Sequence, residues 1–351
     1  MDTEQSLESL SGGQRFLTEV STSPTFLSSI RTRRWFHRFV RGLPIVSKLL
    51  TFGYTSLSAF IATQMAYSQP KPITRTPATL GLRFQNVSFH SREDHVLLHG
   101  WFIPGVLPDG QLTVQRTIIM VHGMHSNRAA EELGLLDLSA ALARHGFAIL
   151  VFDMRGHGQS SRAPLSAGYF EQRDVLGAVD FLRSDQLPYP ELGHPRAIGG
   201  WGVSMGGATM LLAAAREPII QAIVADSAYA AIVPLLERNT SVPSFFIPSV
   251  LAAFRARYGI DYHAVRPVDV VAKIAPRPVF FIHGTADTIV PSWNMHELAT
   301  AASTAPDAHV ETWLVPGAQH VQSYHVMSDE YVKRVVAFFT TALDPDTSAP
   351  A

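Results

Sequence analysis

Residues 198 to 206 read Ile-Gly-Gly-Trp-Gly-Val-Ser-Met-Gly, and the last five form a Gly-x-Ser-x-Gly pentapeptide, Gly202 to Gly206. An apolar run precedes it. An Ala-, Leu- and Met-rich stretch, Ala208 to Ala215, follows with strong helix formers until Pro218 stops it. A strand that must turn at once into a helix puts Ser204 on a sharp, strained corner with its hydroxyl projecting into a cleft. The glycines on either side let strand, turn and helix approach without Cβ clashes. Glycine-rich turns before helices are also ordinary αβ punctuation, so the pentapeptide gains meaning only from partners elsewhere in the chain.

Two partners follow downstream. Residues 278 to 283, Pro-Val-Phe-Phe-Ile-His, read as a buried strand, and Gly284-Thr285-Ala286-Asp287 puts Asp287 on the loop at its carboxyl end. The next strand-like run, Val310 to Val315, leads into Pro316-Gly317-Ala318-Gln319-His320, which puts His320 on the following loop. All three residues would meet at the carboxyl edge of one parallel sheet. Further loop motifs follow earlier strands: Val121-His122-Gly123-Met124, and Asp153-Met154-Arg155-Gly156-His157-Gly158-Gln159-Ser160.

With these elements in this order, the chain resembles a serine hydrolase of the α/β-hydrolase superfamily over about residues 76 to 343. The order Ser, Asp, His separates that arrangement from the other serine-hydrolase orders. The resemblance implies an eight-stranded, mostly parallel sheet with helices on both faces and a small helical cap. It implies Ser204 as nucleophile, His320 as general base and Asp287 as the anion that fixes the imidazole. It also implies an oxyanion hole made by the backbone N–H groups of Met124 and Met205, with His125 as the alternate for Met124.

Strand-like runs lie at about 84–90, 96–103, 117–122, 147–152, 196–203, 221–226, 278–283 and 309–315. The polar cluster Ser91 to His95 suggests a hairpin between the first two. The later runs alternate with helical patterns near 131–145, 171–184, 205–216, 292–303 and 325–342, which implies right-handed parallel crossovers. About 50 residues between Ser227 and Pro276 carry Pro234, Pro243 and Pro248 among apolar segments. An insertion this long inside a compact domain is seldom structureless, so a helical cap over 227–276 is expected, its apolar residues mostly packing it on the core.

The amino terminus differs in character. Residues 1–30 are Ser/Thr-rich and read as a tail; a basic stretch follows with Arg31, Arg33, Arg34, Arg38, Arg41 and Lys48. Residues 49–67 then carry no charge, enough at 1.5 Å per residue to cross roughly 30 Å of hydrocarbon. Six of those positions are Ser, Thr or Gln, so a helix packed on the domain or lying at a membrane interface competes with a span. The expectation is a single-pass helix with the basic flank inside and the catalytic domain exported; a cytoplasmic enzyme is the alternative. The resemblance points to the same anchor through Thr76-Pro77-Ala78-Thr79-Leu80-Gly81-Leu82. Residues 1–75 thus read as an extension, 76–343 as the catalytic domain and 344–351 as a tail, and deletion of residues 1–70 is expected to spare activity.

With 28 basic and 29 acidic residues the formal charge is −1, so nothing draws the chain as a whole to nucleic acid. There is no cysteine, which excludes disulfides, thiolate zinc sites and cysteine nucleophiles. The 15 histidines show no metal-ligand spacing such as His-Glu-x-x-His, so no metal and no cofactor is expected.

Each assignment has a rival. Asp226 ends the strand after the nucleophile helix and is the alternate acid. Asp153 and Arg155 read as braces, and His122, His157 and His283 as structural donors. A serine at the elbow sets aside epoxide hydrolases and haloalkane dehalogenases of this fold. A prolyl-oligopeptidase-like enzyme is set aside for want of a large gating domain. What remains is cleavage of an acyl ester, thioester or acylglycerol through an acyl-serine, with acyl transfer on the same triad and a noncatalytic binding protein as alternatives.

Overall fold

The computed structural model describes residues 47–69 and 71–344. The expected amino-terminal tail, most of the basic stretch and the end of the carboxyl-terminal tail lie outside the described residues. The chain divides into two compact units, Met1–Tyr54 and Thr55–Ala351, and the second contains the sheet.

Helix α1 covers 47–65. Strands β1 (Gln85–His90) and β2 (Leu97–Ile103) form the expected hairpin. A small hairpin follows, β3 (Gly105–Val106) with β4 (Leu112–Thr113), which the sequence pattern did not reveal. The chain then alternates: β5 (Arg116–Val121), α2 (Leu135–Arg144), β6 (Ala148–Asp153), α3 (Gln172–Leu182), β7 (Ala197–Val203), α4 (Met205–Ala214) and β8 (Ile220–Asp226). Helices α5 (Ile232–Asn239) and α6 (Ile247–Tyr258), with several 3₁₀ turns, form the cap between β8 and β9 (Val279–Gly284). Helix α7 (Trp293–Ala302), β10 (Val310–Val315), the short α8 (Ser323–Val326) and α9 (Ser328–Ala342) complete the described chain.

The eight-stranded sheet runs β1-β2-β6-β5-β7-β8-β9-β10. Strand β2 is antiparallel to β1 and β6, and every pairing from β6 to β10 is parallel. Parallel strands covered on both faces need nearly continuous apolar sequence, and β6, β7 and β9 are buried at every position. One face packs on α3, α4 and α7, the other on α2 and α9. Helix α4 is buried on all sides, which is why its sequence is apolar or glycine at every position but Thr209.

This is an α/β-hydrolase fold, and each of the eight main strands begins within one residue of its expected place. The single-pass expectation does not hold for the described residues. None of their helices is long and apolar enough to cross a membrane. Instead the part of α1 from residue 55 onward, with the segment after it, packs on the hydrolase unit. Ser58 Oγ lies 2.6 Å from Ser249 Oγ of α6, Ala62 and Ala66 are fully buried, and the carbonyl of Ala66 accepts the N–H of Leu165 at 2.7 Å. The four-residue spacing of Ser58, Ala62 and Ala66, the last just past the helix end, puts small residues on one side, where a close neighbour fits.

Candidate active site

Strand β7 stands beside β5 and β8 near the middle of the sheet, and its carboxyl end turns into α4 at Ser204. Ser204 adopts φ 54° and ψ −121°, a conformation that is strained for any residue with a Cβ. Its neighbours explain the pentapeptide. A Cβ at Gly202 would lie 2.3 Å from the carbonyl oxygen of Gly206, and one at Gly206 would lie 2.5 Å from those of Val121 and His122. The turn is therefore held shut by backbone packed on backbone.

Ser204 Oγ lies 2.9 Å from His320 Nε2, and His320 Nδ1 lies 2.7 Å from Asp287 Oδ2. The two loops that carry the imidazole and the carboxylate are stitched together. Thr285 N–H donates to the Val315 carbonyl and Ala286 N–H to that of Ala318, both at 3.0 Å, while Thr285 Oγ1 accepts the N–H of Gly317 at 2.8 Å. Asp287 accepts two further bonds, from the N–H groups of Ile289 (3.0 Å) and Val290 (2.8 Å). Burial alone would raise its carboxyl pKa, but hydrogen bonds from His283 and His320 outweigh that and hold it down at about 2. At neutral pH it is therefore an anion, hydrogen-bonded to the His320 ring.

His283 is more involved than its sequence position suggested. Its Nε2 lies 2.7 Å from the Val290 carbonyl and 3.3 Å from Asp287 Oδ2, so one N–H braces both the acid loop and the acid. The signal was the His-Gly-x-x-Asp spacing, which puts the ring at the strand end beside a carboxylate four residues later.

Met124 follows β5 at the neighbouring strand end, and Gly123 sits against the elbow, where an added Cβ would be 3.4 Å from Ser204 Cβ. Met205 is the first residue of α4, and the opening N–H groups of a helix have no partner within it. The alternate donor is otherwise engaged: His125 N–H donates to His157 Nε2 at 3.1 Å. Nδ1 of His157 in turn faces the Arg155 carbonyl at 2.9 Å. His122 makes the same kind of link, with Nδ1 2.7 Å from the Gly123 carbonyl and Nε2 accepting the Met154 N–H at 3.1 Å. Burial lowers both rings to a pKa of about 4, and they face each other, so both are neutral and each has one donor and one acceptor.

The other rivals are engaged in contacts away from Ser204. Asp226 is buried behind the elbow and accepts from Ser227 Oγ (2.9 Å), Ser323 Oγ (3.3 Å) and Tyr331 OH (3.0 Å). Asp153 pairs with Arg128, and Arg155 with Asp94 and Asp174, bracing the loops after β5 and β6. No cluster that would hold a metal ion occurs among the described residues. A cleft of about 400 Å³ opens above Ser204 and His320, walled by Met124, Leu133, Tyr229, Ile232 and Leu235. The two charges on its lining, Lys71 and Glu132, neutralise one another at 2.7 Å.

A model of the prolyl oligopeptidase family matches residues 137–346. The chain belongs to the prolyl oligopeptidase family. The match runs from α2 to beyond α9, so membership rests on the hydrolase region and not on a gating domain. The expectation that set this family aside is overturned on that ground. Among curated proteins, YfhR of Salmonella typhi is 27% identical over 286 residues, covering 79% of this chain and 87% of that protein. Among solved structures, the Pyrococcus furiosus esterase Pf2001 aligns with a TM-score of 0.64 at 25% identity, over 79% of this chain and 100% of the other. The Pyrococcus horikoshii acylaminoacyl peptidase aligns with a TM-score of 0.55 at 18% identity, over 75% of this chain and 42% of the other, a likeness of fold alone. This prolyl oligopeptidase family member is accordingly a hydrolase.

Proposed function

We propose that the protein is a serine hydrolase that cleaves carboxylic esters of the acyl ester, thioester or acylglycerol type, with Ser204, His320 and Asp287 as its triad. The observation that carries the reading is the unbroken relay of 2.9 Å and 2.7 Å from Ser204 through His320 to Asp287. Ser204 Oγ attacks the ester carbonyl carbon as its proton passes to His320 Nε2, and the carbonyl electron pair moves onto oxygen to form a tetrahedral oxyanion. The N–H groups of Met124 and Met205 hold that oxyanion. As it collapses, the bond to the leaving oxygen or sulfur breaks and His320 returns the proton to it, leaving acyl-Ser204. Water, deprotonated by His320, then releases the acid by the same steps.

An ester is favoured over a peptide by the apolar cleft, whose two lining charges already pair with each other and so leave no carboxylate to hold a free α-amino group. The likeness to an esterase points the same way. Family membership favours peptide hydrolysis as the second reading. Parallel assays of p-nitrophenyl esters and acyl-peptide p-nitroanilides separate the two. The expected result is ester turnover that disappears in Ser204→Ala, with anilide turnover far slower. Anilide kcat/KM exceeding that of the esters would replace this reading with peptidase action.

A further inference from the structure

Beside the catalytic cleft lies a second cavity of about 290 Å³, and Met124, His125 and Leu236 line both spaces. Its far wall is assembled from distant stretches of chain. Met65 and Tyr67 come from the end of α1 and just beyond, Leu165 from the loop before α3, and Leu251 and Phe254 from cap helix α6. Among the described residues this lining has no carboxylate, ammonium or guanidinium group, and its polar members are Gln64, Tyr67, His125 and Tyr262. Tyr262 spends its hydroxyl on the Leu165 carbonyl at 2.8 Å and so shows the cavity its ring. A space lined this way favours an alkyl chain over water, which would find few hydrogen-bond partners there.

The segment just after α1 is held in place by its own contacts. Tyr67 meets Tyr258 edge-on with ring centroids 6.3 Å apart, and the Arg162 guanidinium lies 4.4 Å above the Tyr67 ring. Ser68 Oγ lies 3.1 Å from His125 Nδ1, which ties the segment after α1 to the loop following β5.

We infer that this chamber receives the alkyl chain of the acyl group carried by Ser204, which makes the enzyme selective for unbranched acyl chains of medium length, and that α1 closes the chamber and sets that length. The inference rests on the acyl-serine reading above. Met124 supplies the direction: a carbonyl oxygen held at its N–H leaves the acyl carbons next to a residue that lines both the cleft and the chamber. At about 30 Å³ per water-sized group, the space holds on the order of ten chain atoms. Each methylene entering it strengthens transition-state binding about fourfold, up to the length at which the chamber is full.

The test is kcat/KM of the full-length chain for p-nitrophenyl acetate, butyrate, octanoate and palmitate, with active sites counted by fluorophosphonate labelling of Ser204. Octanoate is expected to exceed acetate by at least about tenfold and also to exceed palmitate. Met65→Trp and Leu251→Trp, which fill the chamber from two sides, are each expected to lower the octanoate-to-acetate ratio by about tenfold or more, while Met65→Ala moves the optimum to longer chains. Because the ratio is read within one preparation, partial misfolding cancels. An acetate optimum in the wild type, or a ratio that none of the three substitutions moves, overturns the chamber while leaving the serine hydrolase in place. Absence of both labelling and ester turnover overturns the underlying reading and the chamber with it.

Discussion

The backbone N–H of His125 donates to Nε2 of His157 at 3.1 Å, and this bond fixes the direction of the loop that follows β5. It commits the His125 N–H to the protein, which in the function proposed above assigns the oxyanion on that loop to the N–H of Met124. His157→Leu removes the acceptor and loosens the loop. For an activated ester, kcat is expected to fall by about one to two orders of magnitude, with a smaller change in KM. His157→Gln, whose carbonyl can accept the same N–H, should restore part of the loss. Steady-state kinetics with all three proteins checks this, and an effect confined to KM would contradict it.

The two candidate acids make opposite predictions. Asp287→Asn keeps the shape of the relay but no longer fixes the productive tautomer of His320, so kcat is expected to drop by about 10³ to 10⁴. Asp226→Asn disturbs a carboxylate bound to Ser227, Ser323 and Tyr331, and should reduce stability far more than activity. Single-turnover rates beside urea melts for both variants decide the matter. Comparable losses of kcat would return Asp226 to candidacy.

Behind the elbow, Tyr331 OH donates to Asp226 Oδ2 at 3.0 Å and accepts from Trp201 Nε1 at 3.1 Å, with all three side chains buried. Tyr331→Phe leaves an indole N–H and a carboxylate oxygen short of a partner. The expected cost is about 1 to 3 kcal/mol in a urea titration, with the triad distances and kcat little altered.

Two buried rings should lower stability in mild acid, opposed in part by Asp174, whose carboxyl pKa is raised by burial to about 6 and which therefore takes up its proton in the same window. His122 and His157 are held neutral, their pKa lowered from the ordinary 6.5 to about 4 chiefly by burial. For such groups the stabilisation is fully present above pH 6.5 and is lost as pH falls through 4. The unfolded chain takes up protons across that window and the folded one does not. Asp287, ionised down to about pH 2, adds its own loss only below about pH 4. Thermal melts from pH 8 to pH 4 should show Tm falling below about pH 6.5, with a shallower fall in His157→Gln.

Much of this was legible in the sequence, for reasons tied to particular residues. Strands such as β6 and β7 are buried end to end, so each shows as an unbroken apolar or small-residue run. Ser204, Asp287 and His320 each stand a few residues past such a run, and parallel pairing alone brings those loops to one edge. The hairpin β3–β4 was invisible because two-residue strands carry no period. Residues 49–67 suggested a span because the stretch is uncharged. What decides the outcome for the later part of α1 is the small-residue side at Ser58, Ala62 and Ala66, which acquires meaning only once Ser249 and Leu165 are beside it. The chamber behind Met124 could not be read either, since α1, the loop before α3 and α6 are remote in sequence. If the chamber holds the acyl chain as inferred above, deletion of residues 1–70 removes two of its lining residues, and trimming to residue 54 is the cut that keeps Met65 and Tyr67.

The most direct test of the central claim is intact-protein and peptide mass spectrometry after brief exposure to a fluorophosphonate at neutral pH. One phosphonyl group on the peptide carrying Ser204 is predicted, lost in Ser204→Ala and strongly slowed in His320→Ala and Asp287→Asn. Folded wild-type protein that stays unmodified, or that is labelled at the same rate without His320, would contradict the account.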